Sequence, residues 1–179
     1  MPLDPDRLLA GTYNFSVSLR RSASAESGAA APPAPPDATQ EDSPFPGGDG
    51  GFQECSGLDL EMEVQDILEG GRNDGVIRRF GRGKFSHLVL KRGMFYGTDS
   101  GVNTALWAWL QGILEGKRPF PRYDGTVQLL SPDQSRPLAT WTFIRGVPAK
   151  VTGPQLNAKT GDVAIEELHI AHEGLKLGL

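Results

Sequence analysis

The side chains able to do chemistry are sparse in this 179-residue chain, and their spacing suits surfaces better than a reaction centre. The densest acidic run is Asp59, Glu61 and Glu63 followed by Gln65, one at every second position. That period places all four on one face of a β-strand. Two carboxylates so spaced could suggest glycoside hydrolysis, but nothing beside them in sequence would raise the pKa of one above the other. The basic counterpart is Arg72, Arg78, Arg79, Arg82 and Lys84, with Asp74 the one acid among them. Gly81-Arg82-Gly83-Lys84 has the look of a phosphate loop but lacks its spacing and its following helix. His169 and His172 are three apart on a predicted strand end. They therefore point to opposite faces and make poor joint metal ligands. His87 stands alone, and Cys55, with no second cysteine, reads as a small buried apolar group. There is no Gly-x-Ser-x-Gly elbow, metal-spaced cluster or dinucleotide fingerprint. The expectation is a protein that is not an enzyme, with no catalytic residue, metal or cofactor.

The elements that carry these residues are mostly strands. Asn14 to Leu19 alternate apolar and polar residues, the period of a strand with one buried face. Leu58, Leu60, Met62 and Val64 interleave the acidic run, predicting a strand with one dry and one acidic face. Residues 69–84 read as a Gly- and Arg-containing loop, and Phe85 to Lys91 as a second strong strand. The period then changes. Val102, Ala105, Leu106, Trp109, Leu110, Ile113 and Leu114 form one helical stripe. This predicts an α-helix over about 102–115, with Ser100 able to cap it and Gly116 to end it. Trp107 lies off that stripe, with two readings: a contact between subunits, or packing under a long loop. Strands return at Thr126–Leu130, Leu138–Ile144, a short Lys150–Thr152 and Val163–Ala171. The predicted fold is mainly β: two antiparallel sheets in a sandwich or closed barrel, with one helix.

Composition bounds the rest. The length suffices for one domain, read here as 1–179, and barely for two. The 23 Gly and 14 Pro concentrate partly in a Pro/Ala/Ser/Gly-rich insertion at 21–50, whose one large apolar residue is Phe45. Such a segment buries too little to offset its ordering entropy and is expected to contribute no core. A net charge of −4 gives no long-range attraction to phosphate backbones. No basic region followed by an apolar run marks the start as a secretory signal, and no stretch is long enough for a membrane helix. One cysteine fits a reducing cytosol.

Five stretches, in order, together carry a family resemblance. They are Tyr13-Asn14-Phe15-Ser16-Val17, Phe52-Gln53-Glu54-Cys55-Ser56-Gly57-Leu58, Glu69-Gly70-Gly71-Arg72-Asn73, Leu88-Val89-Leu90-Lys91-Arg92-Gly93 and Ala164 through Leu175. The chain resembles the tail tube proteins of contractile phages, T-even-like tubes included. That family also supplies the inner tubes of extracellular contractile injection particles and is akin to the haemolysin-coregulated tube proteins of type VI secretion. Cys55 stands where the family usually has Val, and the 21–50 insertion replaces a much shorter connection.

The resemblance implies a structural subunit that forms stacked six-membered rings around a lumen, driven through an envelope when a sheath contracts. The alternative it leaves open is a tube-initiating or baseplate-proximal ring of the same family. A ligand-binding or enzymatic β-barrel is the reading from another class. The implied partners are other copies of the chain, a sheath protein, baseplate or spike proteins and a tail terminator. Cargo or DNA would pass without specific binding, and the subunit itself would not insert in a membrane. Synthesis and assembly would take place in the bacterial cytoplasm, and the mature protein would sit in a phage tail or injection particle. In that setting Asp59, Glu61, Glu63 and Gln65 become candidates for a wet, negative lumen wall, their other reading being a solvated strand face. Arg72, Arg78, Arg79, Arg82 and Lys84 become candidates for contact with an adjacent ring, their other reading being a solvated loop.

Overall fold

The alternating segments pair as antiparallel strands in the computed structural model, which describes residues 10–22, 45, 51–68, 70–71, 74–97 and 101–178. The strands are β1 (Phe15–Arg21), β2 (Phe52–Ser56), β3 (Leu60–Ile67), β4 (Ile77–Phe85), β5 (Leu88–Gly93), β6 (Tyr96–Gly97) and β7 (Gly101–Val102). The helix α1 (Ala105–Leu114) follows, then β8 (Tyr123–Leu130), β9 (Pro137–Thr152), β10 (Ile165–Ala171) and β11 (Gly174–Gly178).

The 16-residue β9 is the spine. Its first part, up to Gly146, lies between β8 and β11, and its last part, Val147–Thr152, pairs with β10. At the join Arg145 takes a positive φ of 55°. Its N–H donates to Asp124 Oδ1 at 2.7 Å, and its side chain meets Glu173 Oε2 at 3.0 Å. The strands β10 and β11 are separated only by His172 and Glu173, so they run along one side of β9. The sheet therefore has two four-stranded halves that share β9. One is β1-β8-β9-β11, the other β9-β10-β5-β2. Their apolar faces meet in one core: Val17 and Leu19, Val127 and Phe143, Leu88 and Leu90, Leu168 and Ile170. Burial of each such side chain contributes about 1.5–3 kcal/mol. The terminal strands β1 and β2 do not pair with each other, so this is an open sandwich and not a closed barrel. A cavity of about 360 Å³ opens between them, lined among others by Phe15, Cys55, Leu58 and Trp141.

Three sequence expectations are corrected. The helix begins at Ala105, not 102. Asn103 Oδ1 accepts from the Ala105 N–H at 3.0 Å, while Val102 belongs to β7. Ser100 lies outside the described residues. Gly116, at φ 74°, does end the helix, its N–H donating to the Ile113 carbonyl at 3.0 Å. Second, part of the loop read over 69–84 is the strand β4, paired with β3. Arginines at alternating and adjacent positions hide the period there, although Ile77, Phe80 and Phe85 supply its apolar residues. Third, the 21–50 insertion does supply core. Arg21 closes β1, and Phe45 is 3% exposed, its ring 5.5 Å from Trp109 and 5.1 Å from Tyr123. Its N–H donates to the Leu19 carbonyl at 3.0 Å. One aromatic residue can reach a core from a segment with no periodicity, and no pattern in sequence announces it.

Candidate functional site

The half-sheet β9-β10-β5-β2 presents two faces in strict alternation. Cys55, Leu90, Leu168 and Val151 lie in register across it on the core side. The next row, Glu54, Lys91, Glu167 and Thr152, faces outward, as does the row of Ser56, Val89, His169 and Lys150. The outward face is a charge ladder. Lys91 Nζ donates to both Glu54 oxygens at 3.0 Å and lies 3.8 Å from Glu167 Oε2. His169 Nε2 stands 2.5 Å from Glu167 Oε1. The hydrogen bond to Glu54 holds the Lys91 pKa above its usual value. Sequence reasoning missed this row. The available signal was the alternation of Leu88, Leu90, Leu168 and Ile170 with Val89, Lys91, Glu167 and His169.

The same ladder extends into an arm. Ser56 faces Val89 across β2 and β5, and Leu60 faces Phe85 across β3 and β4. The hairpin β3–β4 therefore continues the β2–β5 pair after a break at Gly57. Gly57 has φ 83°, and a Cβ there would stand 2.0 Å from the His87 carbonyl oxygen. One arm face carries Leu60, Met62, Val64, Phe80 and Phe85. The sequence predicts that the β3 part of this face is dry. Within the subunit it is not: Leu60 is 66% exposed and Phe80 87%. At its root the face joins the core, where the Phe85 ring lies 5.5 Å from His172 and His172 lies 5.6 Å from Phe143. Burial between these rings holds the His172 pKa below its ordinary value.

The arm brings together the acidic and basic sets that the sequence assigns to different surfaces. Glu61 faces Lys84 and Gln65 faces Arg79. Arg82 sits in a bulge where β4 has an extra residue opposite Glu63. Arg78 pairs with Asp66 at 3.5 Å at the far end of the apolar face. Asp59 is exposed just before β3, and Arg72 lies outside the described residues. The acidic strand face is thus opposed by cations, and the result is mixed in sign.

Trp107 is turned toward its own subunit. Its Nε1–H donates to Glu166 Oε2 at 3.2 Å, and Glu166 Oε1 accepts from Arg92 Nε at 2.7 Å. Arg92 and Glu166 are 1% and 0% exposed, so an ion pair inside the sandwich anchors α1 to β5 and β10. Cys55 is half-buried, and burial pushes its thiol up to about 11. Among the described residues no group of His, Cys, Asp and Glu could hold a metal ion. No described helix is long and apolar enough to cross a membrane.

Among the described residues the sandwich is open, β2 has one edge without a strand partner and the arm carries an exposed apolar face. The family model of the T4-like virus tail tube protein gp19 matches residues 11–176. The chain belongs to the tail tube family. As a tail tube protein it is a structural tube subunit, in agreement with the five-stretch resemblance. Its fold recurs in a chain of the anti-feeding prophage baseplate at 22% identity, TM-score 0.72, covering 96% of each chain. It recurs in the PVC contractile injection system sheath–tube complex at 20% identity, TM-score 0.71, covering 97% of this tail tube protein and 93% of that chain. The PVC sheath/tube terminator aligns at 20% identity, TM-score 0.72, over 97% and 99%. A search of curated protein sequences gives no match.

Proposed function

We propose that this tail tube protein closes into hexameric rings by sharing the half-sheet β9-β10-β5-β2 between copies, and that the rings stack into the inner tube of a contractile tail or injection particle. The observation that carries this is a pair of free edges on one sheet. Among the described residues β8 reaches only to Gly146, which leaves Val147–Thr152 without a strand on that side, and β2 has no strand partner beyond β5. The half-sheet has four strands, all antiparallel, so its two edges run antiparallel to each other. A head-to-tail contact of β2 with the β9 edge of the next copy keeps the pattern and leaves neither edge of this half-sheet open. Six copies would give one continuous wall around a lumen.

In this arrangement the outward ladder of Glu54, Lys91, Glu167 and His169 faces the lumen. The arm face of Glu61, Glu63 and Gln65, with Asp59 at its root, extends that wall. The apolar arm face needs cover, and a neighbouring copy provides it, with Arg78, Arg82 and Arg72 setting register by charge, while Arg79 and Lys84 share the opposite face with Gln65 and Glu61. The whole chain acts as one domain with no catalytic role, assembled in the bacterial cytoplasm. The structural neighbours, which come from a baseplate, a sheath–tube complex and a sheath/tube terminator, support a sheath, a baseplate and a terminator as partners. Cargo or DNA passes the wall without specific binding. The base-ring reading keeps the same geometry, with the 21–50 insertion as an adaptor.

Electron microscopy of the purified protein tests the proposal. Rings or stacked tubes are expected at high concentration, and monodisperse monomers overturn it. The copy number in the intact particle separates a main tube subunit from a single initiating ring.

A further inference from the structure

We propose that the outward charge ladder is completed between copies: Lys150, on the free edge of β9, pairs with Glu54, on the free edge of β2 in the next copy. The inference rests on the ring reading above and gives its seam a specific contact. Along the ladder the signs alternate, Glu54 against Lys91 and Lys91 against Glu167. At the two ends the alternation is left open. Lys150 is exposed and has no ion-pair partner among the described residues. The Glu54 side chain is 50% exposed, with Lys91 its one ion-pair partner there. A carboxylate has about four lone-pair sites, so it can accept a second cation.

The edges also match as surfaces. On the β9 edge the outward residues are Lys150 and Thr152, neither of them acidic. On the β2 edge they are Glu54 and Ser56, neither of them basic. No like-charge contact arises in either register. A slip of one residue at the seam would turn the charged row toward the core, so only even shifts keep one wet face. Lys150 then meets Glu54 directly or on the diagonal, within reach of a lysine side chain. The second copy is therefore the occupant that the charge pattern fits.

Two measurements test this. Carbodiimide treatment of assembled wild-type rings, followed by peptide mass spectrometry, is expected to give a Lys150–Glu54 link found in ring-sized but not monomer-sized species. Separately, Lys150→Glu or Glu54→Lys alone is expected to weaken each seam about fivefold. The loss is steeper at low salt, and the double swap restores part of it, because the new cation at position 54 also opposes Lys91. Wild-type rings that yield no such link, together with single variants that assemble normally or a double swap that rescues nothing, overturn this contact and leave the ring intact. Wild-type protein that never forms rings overturns the ring reading and this one with it. The link is read on unmodified protein, so a variant that fails to fold does not decide the question.

Discussion

The β3–β4 arm and the β5–β10 region of the body have the same grammar and opposite fates. Both alternate apolar with charged residues. In β5 and β10, Leu88, Leu90, Leu168 and Ile170 are all fully buried by their own chain. In the arm Met62 and Val64 are each 53% exposed, with Leu60 and Phe80 more so. The body has a second half-sheet and a helix above its apolar face, and among the described residues nothing lies above the arm's. Identical local patterning thus yields a core where the fold supplies a cover and an exposed apolar surface where it does not. The body holds one subunit together, and the arm's apolar face is the surface that we propose a neighbouring copy covers.

The comparison can be broken at its strongest point by removing the ion pair in the body. Glu166→Ala removes the carboxylate that pairs with the buried Arg92 and accepts from Trp107. A loss of about 3–5 kcal/mol in folding stability is expected in denaturant unfolding of the monomer. A loss below 1 kcal/mol would show that the pair does not lock α1 to the sheet.

Matched phenylalanine deletions sharpen the contrast. Phe45→Ala empties a site between Trp109 and Tyr123 and is expected to cost about 3 kcal/mol, measured the same way. Phe80→Ala, at an exposed arm position, is expected to change monomer stability by less than about 0.5 kcal/mol. It should shorten or abolish stacked tubes in micrographs. Full-length tubes from Phe80→Ala would mean that the apolar arm face is not a contact.

The smallest effect belongs to the joint between the two regions. His172 sits between Phe85 of the arm root and Phe143 of the core, with a folded pKa below its ordinary 6.5. The unfolded chain therefore binds a proton at higher pH than the folded one. The stabilising contribution is complete above about 6.5 and is lost as pH falls through that value toward the lower folded pKa. His172→Phe should flatten the stability-against-pH profile in that window while leaving the carboxylate-driven loss at lower pH. An unchanged slope would show that His172 does not couple to folding.

Much of the body was legible. Alternation in Phe15–Leu19, Leu88–Lys91 and Ile165–Ala171 names the strands and their buried faces, because a half-buried strand must repeat every two residues. Gly116 and the helical stripe mark where α1 ends. The arm was half legible. Its β3 side alternates cleanly, but β4 is masked by four basic residues and a bulge that breaks its period. Phe45 was invisible for the opposite reason, being a single core contact in a segment without any repeat.

Taken alone, the order of residues determined most of the body's strands, the helix α1, the lack of a metal-ligand or nucleophile motif in the sequence, and the family through five ordered motifs. These are local properties, written in periods of two and 3.6 residues. Tertiary structure decided the rest. It left one edge of β2 and one edge of the end of β9 without a strand partner among the described residues, turned Trp107 inward onto Glu166, set the acids and bases of the arm face to face, and aligned Glu54, Lys91 and Glu167 across three strands. Those outcomes depend on which distant segments share a register, and a sequence records each strand's pattern without recording its neighbour.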